Sequence, residues 1–219
     1  MDFVRALAAF VILSAVFLVI ERRTWWRRGW RTDLVYWFVT ILVTQPFARL
    51  AILLPALALI LSGLTSWETL KAGAYHGYGP VSQQPRWLQA VEVYTLVDFC
   101  GYWSHRWFHT ARAWPFHAVH HSSEELDWLA SVRVHPLNDF GNKLFQVSPV
   151  LLLGFHPLVT LSTAPFFTFY ALFLHARVNV DFGPLRAVIA SPVFHRWHHT
   201  FPEEGGNTNF AGTFPVWDL

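Results

Sequence analysis

The sequence predicts an all-α fold, a multi-pass transmembrane helical bundle of about four spans with a cytoplasmic helical cap that carries clusters of histidine. Three observations predict it. The chain is 53% hydrophobic, 17% aromatic and only 14% charged, more apolar than an ordinary globular domain. Its apolar residues gather into runs near the ~20 residues that cross ~30 Å of hydrocarbon. Its histidines fall at helical spacing in HRWFH (105–109), HAVHH (117–121) and HRWHH (195–199).

The first apolar run, Phe3 to Ile20, is interrupted only by Arg5 and Ser14. As a signal peptide it would have a weak n-region and no small-x-small cleavage pattern, so it reads as a span. The next residues are ERRTWWRRGWR, where Arg22, Arg23, Arg27, Arg28 and Arg31 mix with Trp25, Trp26 and Trp30. They read as a cytoplasmic interfacial belt that sets topology rather than docking a partner. The second run, Leu34 to Leu61, is broken by Gln45-Pro46 and carries Arg49. It exceeds one span, so it is either one kinked or tilted helix or a span followed by a re-entrant piece. Ser62 to Arg86, rich in Gly, Pro and Tyr, reads as a far-side loop with His76 at its surface. Residues 1–86 thus form an N-terminal two-span membrane region with its loop.

Residues 87–219 form the second region. Trp87 to Trp103 is apolar but holds Glu92 and Asp98, and ionisable groups in a span usually face the bundle interior. A polar segment, His121 to Lys143, follows the first histidines. Leu144 to Phe155 and Leu158 to Leu174 then make two apolar arms around His156-Pro157, a hairpin ending at His175. Counting crossings from a cytoplasmic arginine belt puts every histidine group on the cytoplasmic face.

A net charge of +2 without a basic stripe argues against nucleic acid as a partner. The single cysteine, Cys100, excludes an intramolecular disulfide and any Cys-rich zinc or iron–sulfur site, so metal chemistry must use nitrogen and oxygen. Residues three and four apart share a helix face, which aligns His105 with His109, His117 with His120 and His121, and His195 with His198 and His199. Tyr102 and Asp98 extend the first stripe backwards, and Pro115 suits the first turn of the next helix. Imidazole nitrogen suits iron, zinc, copper or nickel. These eight histidines plus His175 exceed the three or four ligands of a single zinc, so two metals are the natural count. In such a site His120 and His121, or His198 and His199, would serve different ions.

Ligating imidazoles usually donate their other N–H to a carboxylate or carbonyl. Candidates are Asp98, Glu124, Glu125, Asp127, Asn138, Asp139, Asn179 and Asp181, with Glu124 and Glu125 individually read as solvated surface. His135 before Pro136 reads as packed or capping, and His156 as a turn residue. A bis-histidine haem carrier, a divalent-metal transporter and a zinc hydrolase remain as readings from other classes.

Asp98, Tyr102, HRWFH (105–109), FHAVHHSS (116–123), RVHP (133–136), His175 followed by Asn179, SPVFHRWHH (191–199) and NTNFAGTFPVWDL (207–219) together resemble the fatty acid hydroxylase or sterol desaturase superfamily. The resemblance covers about residues 87–219. It implies a membrane-bound non-haem di-iron oxygenase holding two iron ions, with zinc in the same ligands in some isolated members. The implied ligands are His105, His109, His117, His120, His121, His175, His195, His198 and His199. It further implies O2 and a lipid substrate of fatty acyl, sterol or carotenoid type. With no flavin, haem or ferredoxin motif in the chain, a separate electron-donor reductase is implied, docking near the arginine belt. Hydroxylation is the expected outcome, and desaturation from the same site is the alternative. Some members carry another ligand four residues before the counterpart of His175; here that residue is Ala171, which leaves one ion an open or water-filled position. The WDL run continues in the family into a short Phe-Gly-Thr tail, so the chain is expected to be truncated after Leu219.

Overall fold

The computed structural model describes residues 2–24 and 26–219; Trp25, a member of the expected belt, lies outside the described residues. All regular elements among the described residues are helical, as the composition predicts.

Helix α1 (Phe3–Glu21) starts where the Asp2 carboxylate accepts from the Arg5 amide at 2.9 Å, and stops where Arg22 turns left-handed at φ 53°. Helix α2 runs from Trp30 to Leu61, 32 residues, as one continuous rod rather than a span plus a re-entrant piece. In a straight α-helix Pro46 would lack its N–H bond and press its ring on the carbonyl four residues back. The backbone widens to a π-turn at Thr40–Thr44 just before it, and tightens to a 3-10 turn at Arg49–Ile52 ahead of Pro55. At 1.5 Å per residue α2 measures about 48 Å, more than the ~30 Å hydrocarbon layer, so it must tilt to match the bilayer.

The stretch read as a loop contains helix α3 (Trp67–His76). Its start signal is local: the Ser66 hydroxyl accepts from the Thr69 amide at 3.1 Å, and Glu68 sits in the first turn, where the helix dipole favours it. His76, its last residue, is exposed. Then follow α4 (Arg86–Phe108), a single turn α5 (Trp114–His117), α6 (Pro136–Leu153), α7 (Pro157–His175) and α8 (Pro192–His198).

Helix α6 begins eight residues before the apolar arm, at Pro136 rather than Leu144. The His135 ring nitrogen accepts from the Leu137 amide at 3.1 Å and Pro136 fills the first turn, so Asn138 to Lys143 become helical despite their polarity. His156 caps α7 in the same way through the Leu158 amide at 3.2 Å.

Among the described residues three helices, α1, α2 and α7, are long and apolar enough to cross a membrane, and most of their surface is unburied apolar side chain. The chain is read accordingly as an integral membrane protein. Helices α4 and α6, 23 and 18 residues long, carry Glu92, Asp98, Asp139 and Lys143 and pack against one another.

The histidine-bearing loops are pinned to this bundle by one tryptophan. Trp128 is 1% exposed, stacked on Phe17 of α1 at 5.2 Å and set edge-on to Trp37 of α2 at 5.9 Å. Glu21, at the end of α1, accepts from the amides of both Trp128 and Arg177 at 3.0 Å. The end of α1, the loop after the second histidine group and the end of α7 therefore meet on one side of the bundle.

A buried ion network completes the junction. Arg27, expected in the interfacial belt, turns its guanidinium inward: it bonds Asp127 at 2.6 Å and Asp33 at 2.7 Å, and Asp33 also pairs with Arg133. Asp127, expected near an imidazole, serves this network and caps the 3-10 turn at Trp128–Val132. Arg22, Arg23, Arg28, Arg31 and Trp26 remain exposed.

Removing one partner of a buried ion pair leaves an uncompensated charge, at a cost of about 3–5 kcal/mol. Arg27→Gln is expected to destabilise the protein by an amount of that order, read as a lowered thermal unfolding midpoint in detergent, and Arg27→Gln with Asp127→Asn by less. Equal losses in the single and double variants would show that the pair is not coupled.

Candidate metal centre

Each histidine group sits at the C-terminal end of a helix. His105 lies in the last turn of α4 and His109 caps it; His117 ends α5; His175 ends α7; His195 and His198 lie on α8 and His199 caps it. His120 and His121 fall in a 3-10 turn, His120–Ser122, so HAVHH is not one α-helical stripe as its spacing suggests. The break splays its histidines apart.

All nine predicted residues converge, in two groups. His105, His109, His117, His121 and His198 form one, and His120, His175, His195 and His199 the other; within each group the ligand nitrogens lie within 4.8 Å of one another. The neighbours His120 and His121 divide between the groups, as do His198 and His199. The groups abut, with the rings of His121 and His199 stacked at 4.3 Å.

The inner nitrogens are packed more closely than neutral rings tolerate. His120 Nδ1 lies 3.2 Å from the Arg133 carbonyl and His175 Nδ1 2.7 Å from the Ala171 carbonyl. A carbonyl only accepts, so both protons reside on Nδ1, and the two Nε2 lone pairs face each other at 3.1 Å. In the other group His105 Nδ1 meets the Phe210 carbonyl and His117 Nδ1 the Asn138 side-chain oxygen, both at 2.8 Å, and the two Nε2 atoms are 3.0 Å apart. The Nε2 atoms of His109 and His198 are buried with no hydrogen-bond partner among the described residues. Inward lone pairs and orphaned nitrogens are the arrangement that a metal cation satisfies, and the donor set fits one.

Burial also keeps these rings neutral, the form a metal requires. Desolvation, reinforced by neighbouring imidazoles, pushes His109 down to about 3 and holds His117, His120, His121, His195, His198 and His199 well below the ordinary histidine range.

Residues 90–219, more than half of the chain, match the family described as Fatty acid hydroxylase. The chain belongs to that family. It is also similar to an ornithine lipid hydroxylase, OlsE, of Rhizobium tropici, 34% identical over 36% of this chain and 25% of the relative. To an alkylglycerol monooxygenase of Danio rerio it is 33% identical over 56% of this chain and 27% of the relative. The chain thus spans about a quarter of the length of either relative. No solved structure matches it.

In this fatty acid hydroxylase family member the outer nitrogens are held mostly by backbone. Besides Phe210, Arg133 and Ala171, the Thr208 carbonyl accepts from His198 Nδ1 at 2.7 Å. Of the expected side-chain partners only Asn138 reaches an imidazole. Glu124 pairs with Arg28 at 2.7 Å, Glu125 with Arg177 at 3.1 Å, and Asn179 with Arg196 at 3.0 Å, while Asp181 accepts from the Gly183 amide. Asp139 has a buried oxygen without a partner among the described residues.

Asp98 shares its helix stripe with the ligands but does not touch them. Its carboxylate accepts from the Phe214 amide at 3.1 Å and the Trp217 indole at 2.9 Å, anchoring the C-terminal segment to α4. Tyr102, also on the stripe, accepts from Arg106 at 2.6 Å. Asp218, which sequence reasoning passed over, accepts from the Phe210 and Ala211 amides at 3.0 and 2.9 Å. The two aspartates hold in place the segment whose carbonyls orient His105 and His198. Only the FAGTFPVWDL wording of the tail could have signalled this.

Loss of an outer partner typically weakens metal affinity about 10–100-fold. Asp218 supports the carbonyl behind His105 rather than bonding a ring itself. If each histidine group holds an ion, Asp218→Ala is expected to weaken the step at the group with His105 and His198 by no more than that factor and to spare the other, as read by metal titration. Uniform weakening of both steps would assign Asp218 to general stability instead.

A histidine depressed in the folded state lets the unfolded chain take up protons first as pH falls. For His109 the stability of the metal-free protein is thus complete above about 6.5 and declines as pH drops towards about 3. Thermal unfolding across that window should show the fall, and a flat profile would refute it.

Proposed function

We propose that the chain is a membrane-bound non-haem di-iron oxygenase that hydroxylates a lipid with O2 and external electrons. The observation that carries this reading is the pair of abutting imidazole groups, five and four strong, with their lone pairs turned inward. His105, His109, His117, His121 and His198 would hold one ion, and His120, His175, His195 and His199 the other. Zinc suits the same donors and would occupy them in protein isolated without iron. Family membership supports the assignment. So do the two relatives, one named for hydroxylating ornithine lipid and the other as an alkylglycerol monooxygenase.

An aliphatic C–H bond offers no acid, electrophile or leaving group, so the side chains alone cannot attack it. Bound iron supplies the oxidising chemistry with O2. The chain's own residues do the rest. The Phe210, Thr208, Arg133 and Ala171 carbonyls and Asn138 fix the tautomer and orientation of five rings, so that Nε2 is always the inner atom. Helices α1, α2 and α7 present apolar faces suited to a lipid tail. The arginine-rich segment after α1 and the histidines share one side of the bundle, and the positive-inside rule makes that side cytoplasmic. A separate reductase would deliver electrons there.

Other metal readings fit less well. Inner nitrogens 3.0–3.2 Å apart leave no room for a porphyrin between facing histidines. Imidazoles at helix ends also differ from a transporter's ligands, which lie near mid-membrane on broken helices.

Purified protein should hold about two metal ions per chain. His120→Ala and His198→Ala, one from each group, are expected to lose most of the metal and all product. Lipid extracts of a host expressing the intact chain beside either variant decide the reaction. A product heavier by one oxygen means hydroxylation, one lighter by two hydrogens means desaturation, and full metal retention in both variants rejects the assignment.

A further inference from the structure

A polar cleft of about 530 Å³ opens on the histidine side of the bundle, and His199 forms part of its wall. That volume is in the range of small-molecule sites. Its other charged lining is Arg23, Arg177, Arg196, Glu124 and Glu125, three cations against two anions. Both glutamates are already engaged: Glu124 by Arg28 from outside the cleft at 2.7 Å, Glu125 by Arg177 at 3.1 Å. The surplus positive charge falls on Arg23 and Arg196.

Arg196 is the informative one. It lies on α8 between the ligands His195 and His198, and its guanidinium donates to the Asn179 side-chain oxygen at 3.0 Å and the Val178 carbonyl at 2.9 Å. Its acceptors among the described residues are all neutral, the third being the Ala176 carbonyl at 3.5 Å. They fix the side chain without balancing its charge. A guanidinium held rigid beside a cavity is the arrangement that takes an oxyanion, because its planar fork matches two oxygens and little side-chain freedom is left to lose.

The site of the cleft indicates what carries the anion. Arg23 follows the end of α1 and Arg177 the end of α7, two of the three apolar helices, so the cleft lies at the depth of a lipid headgroup. Below it α1 exposes Val16 and Val19, and α7 exposes Phe166 and Phe169, an apolar surface along which a hydrocarbon chain can descend. We propose that this cleft binds the oxyanion head, phosphate or carboxylate, of the lipid substrate through Arg196 and Arg23, and so holds the substrate beside His199. The inference rests on the lipid-hydroxylase reading above.

Direct binding tests it separately from turnover. The full chain, metal-loaded in dodecyl maltoside, is titrated calorimetrically with octyl phosphate and with inorganic phosphate. Wild type should bind octyl phosphate saturably, and Arg196→Gln and Arg23→Gln should each weaken it about tenfold or more. Should Arg196→Gln fail to fold, Arg23→Gln, at an exposed position, still decides the matter. Inorganic phosphate binding as tightly as octyl phosphate would overturn the lipid assignment in favour of a free anion. Unchanged affinity in the variants, with hydroxylated lipid still formed by wild type, sinks the head site and leaves the oxygenase standing. Arginine-dependent binding with no oxidised lipid sinks the oxygenase reading and leaves an anion site.

Discussion

Nine uncharged imidazoles, their lone pairs directed into two small volumes, are the constraint on which the rest of this structure depends. Each ring taken out of water loses hydrogen bonds to solvent, and facing lone pairs add repulsion to that loss. Nothing in the rings themselves repays it. A cation between the nitrogens would repay it, and the field of the scaffold favours one there. Helices α4, α5, α7 and α8 all end at the centre, and the C-terminal end of a helix carries partial negative charge that favours a cation. Short α5 and α8 contribute little of this field; α4 and α7, 23 and 19 residues long, contribute most.

The scaffold holds the rings in place by bonding at their backs. Backbone carbonyls are well suited to this because they are fixed by the fold and only accept, leaving no choice of tautomer. The carbonyls in turn need rigid supports. Arg133, whose carbonyl orients His120, is itself held in the ion network with Asp33 and Arg27. Phe210 and Thr208 are in a segment fastened by Asp98 and Asp218. Trp128 supplies the apolar weld between this polar cap and the lipid-facing helices, burying its ring where α1, α2 and α7 meet. Arg133, Asp98 and Asp218 therefore have positional roles in a site that their charged groups never touch.

How much of this was legible in the sequence follows from the range of each interaction. The histidine spacing was legible because helical periodicity is local, and all nine residues converge. The split of HAVHH into two groups was half legible: adjacent residues were expected to serve different ions, but the 3-10 turn that allows it leaves no mark beyond Pro115. Arg27 was read as an interfacial residue because its partner Asp127 is one hundred positions away, and no local pattern reports a pairing at that distance. The outer carbonyls were invisible for a different reason, since every residue has one and none is distinguished by its side chain. The kink near Pro46 was legible as a break; that it resolves into a π-turn within one helix depended on packing along α2. Helix α3 carried its Ser66 cap in plain view, outweighed by the glycines and prolines around it.

The chemical character of the centre follows from what is absent from its inner wall. Among the described residues the two groups contain histidine alone, and the carboxylates of Asp98 and Asp218 are occupied by amide and indole N–H groups. Neutral donors leave a bound divalent ion its full charge, whereas each carboxylate ligand would cancel part of it. Charge of that size in a partly enclosed site acts over several ångströms. It is added to the unbalanced guanidinium of Arg196, one residue from His195. The His199 side of the centre is thus where the proposed substrate, with its negative head and greasy tail, would place its head.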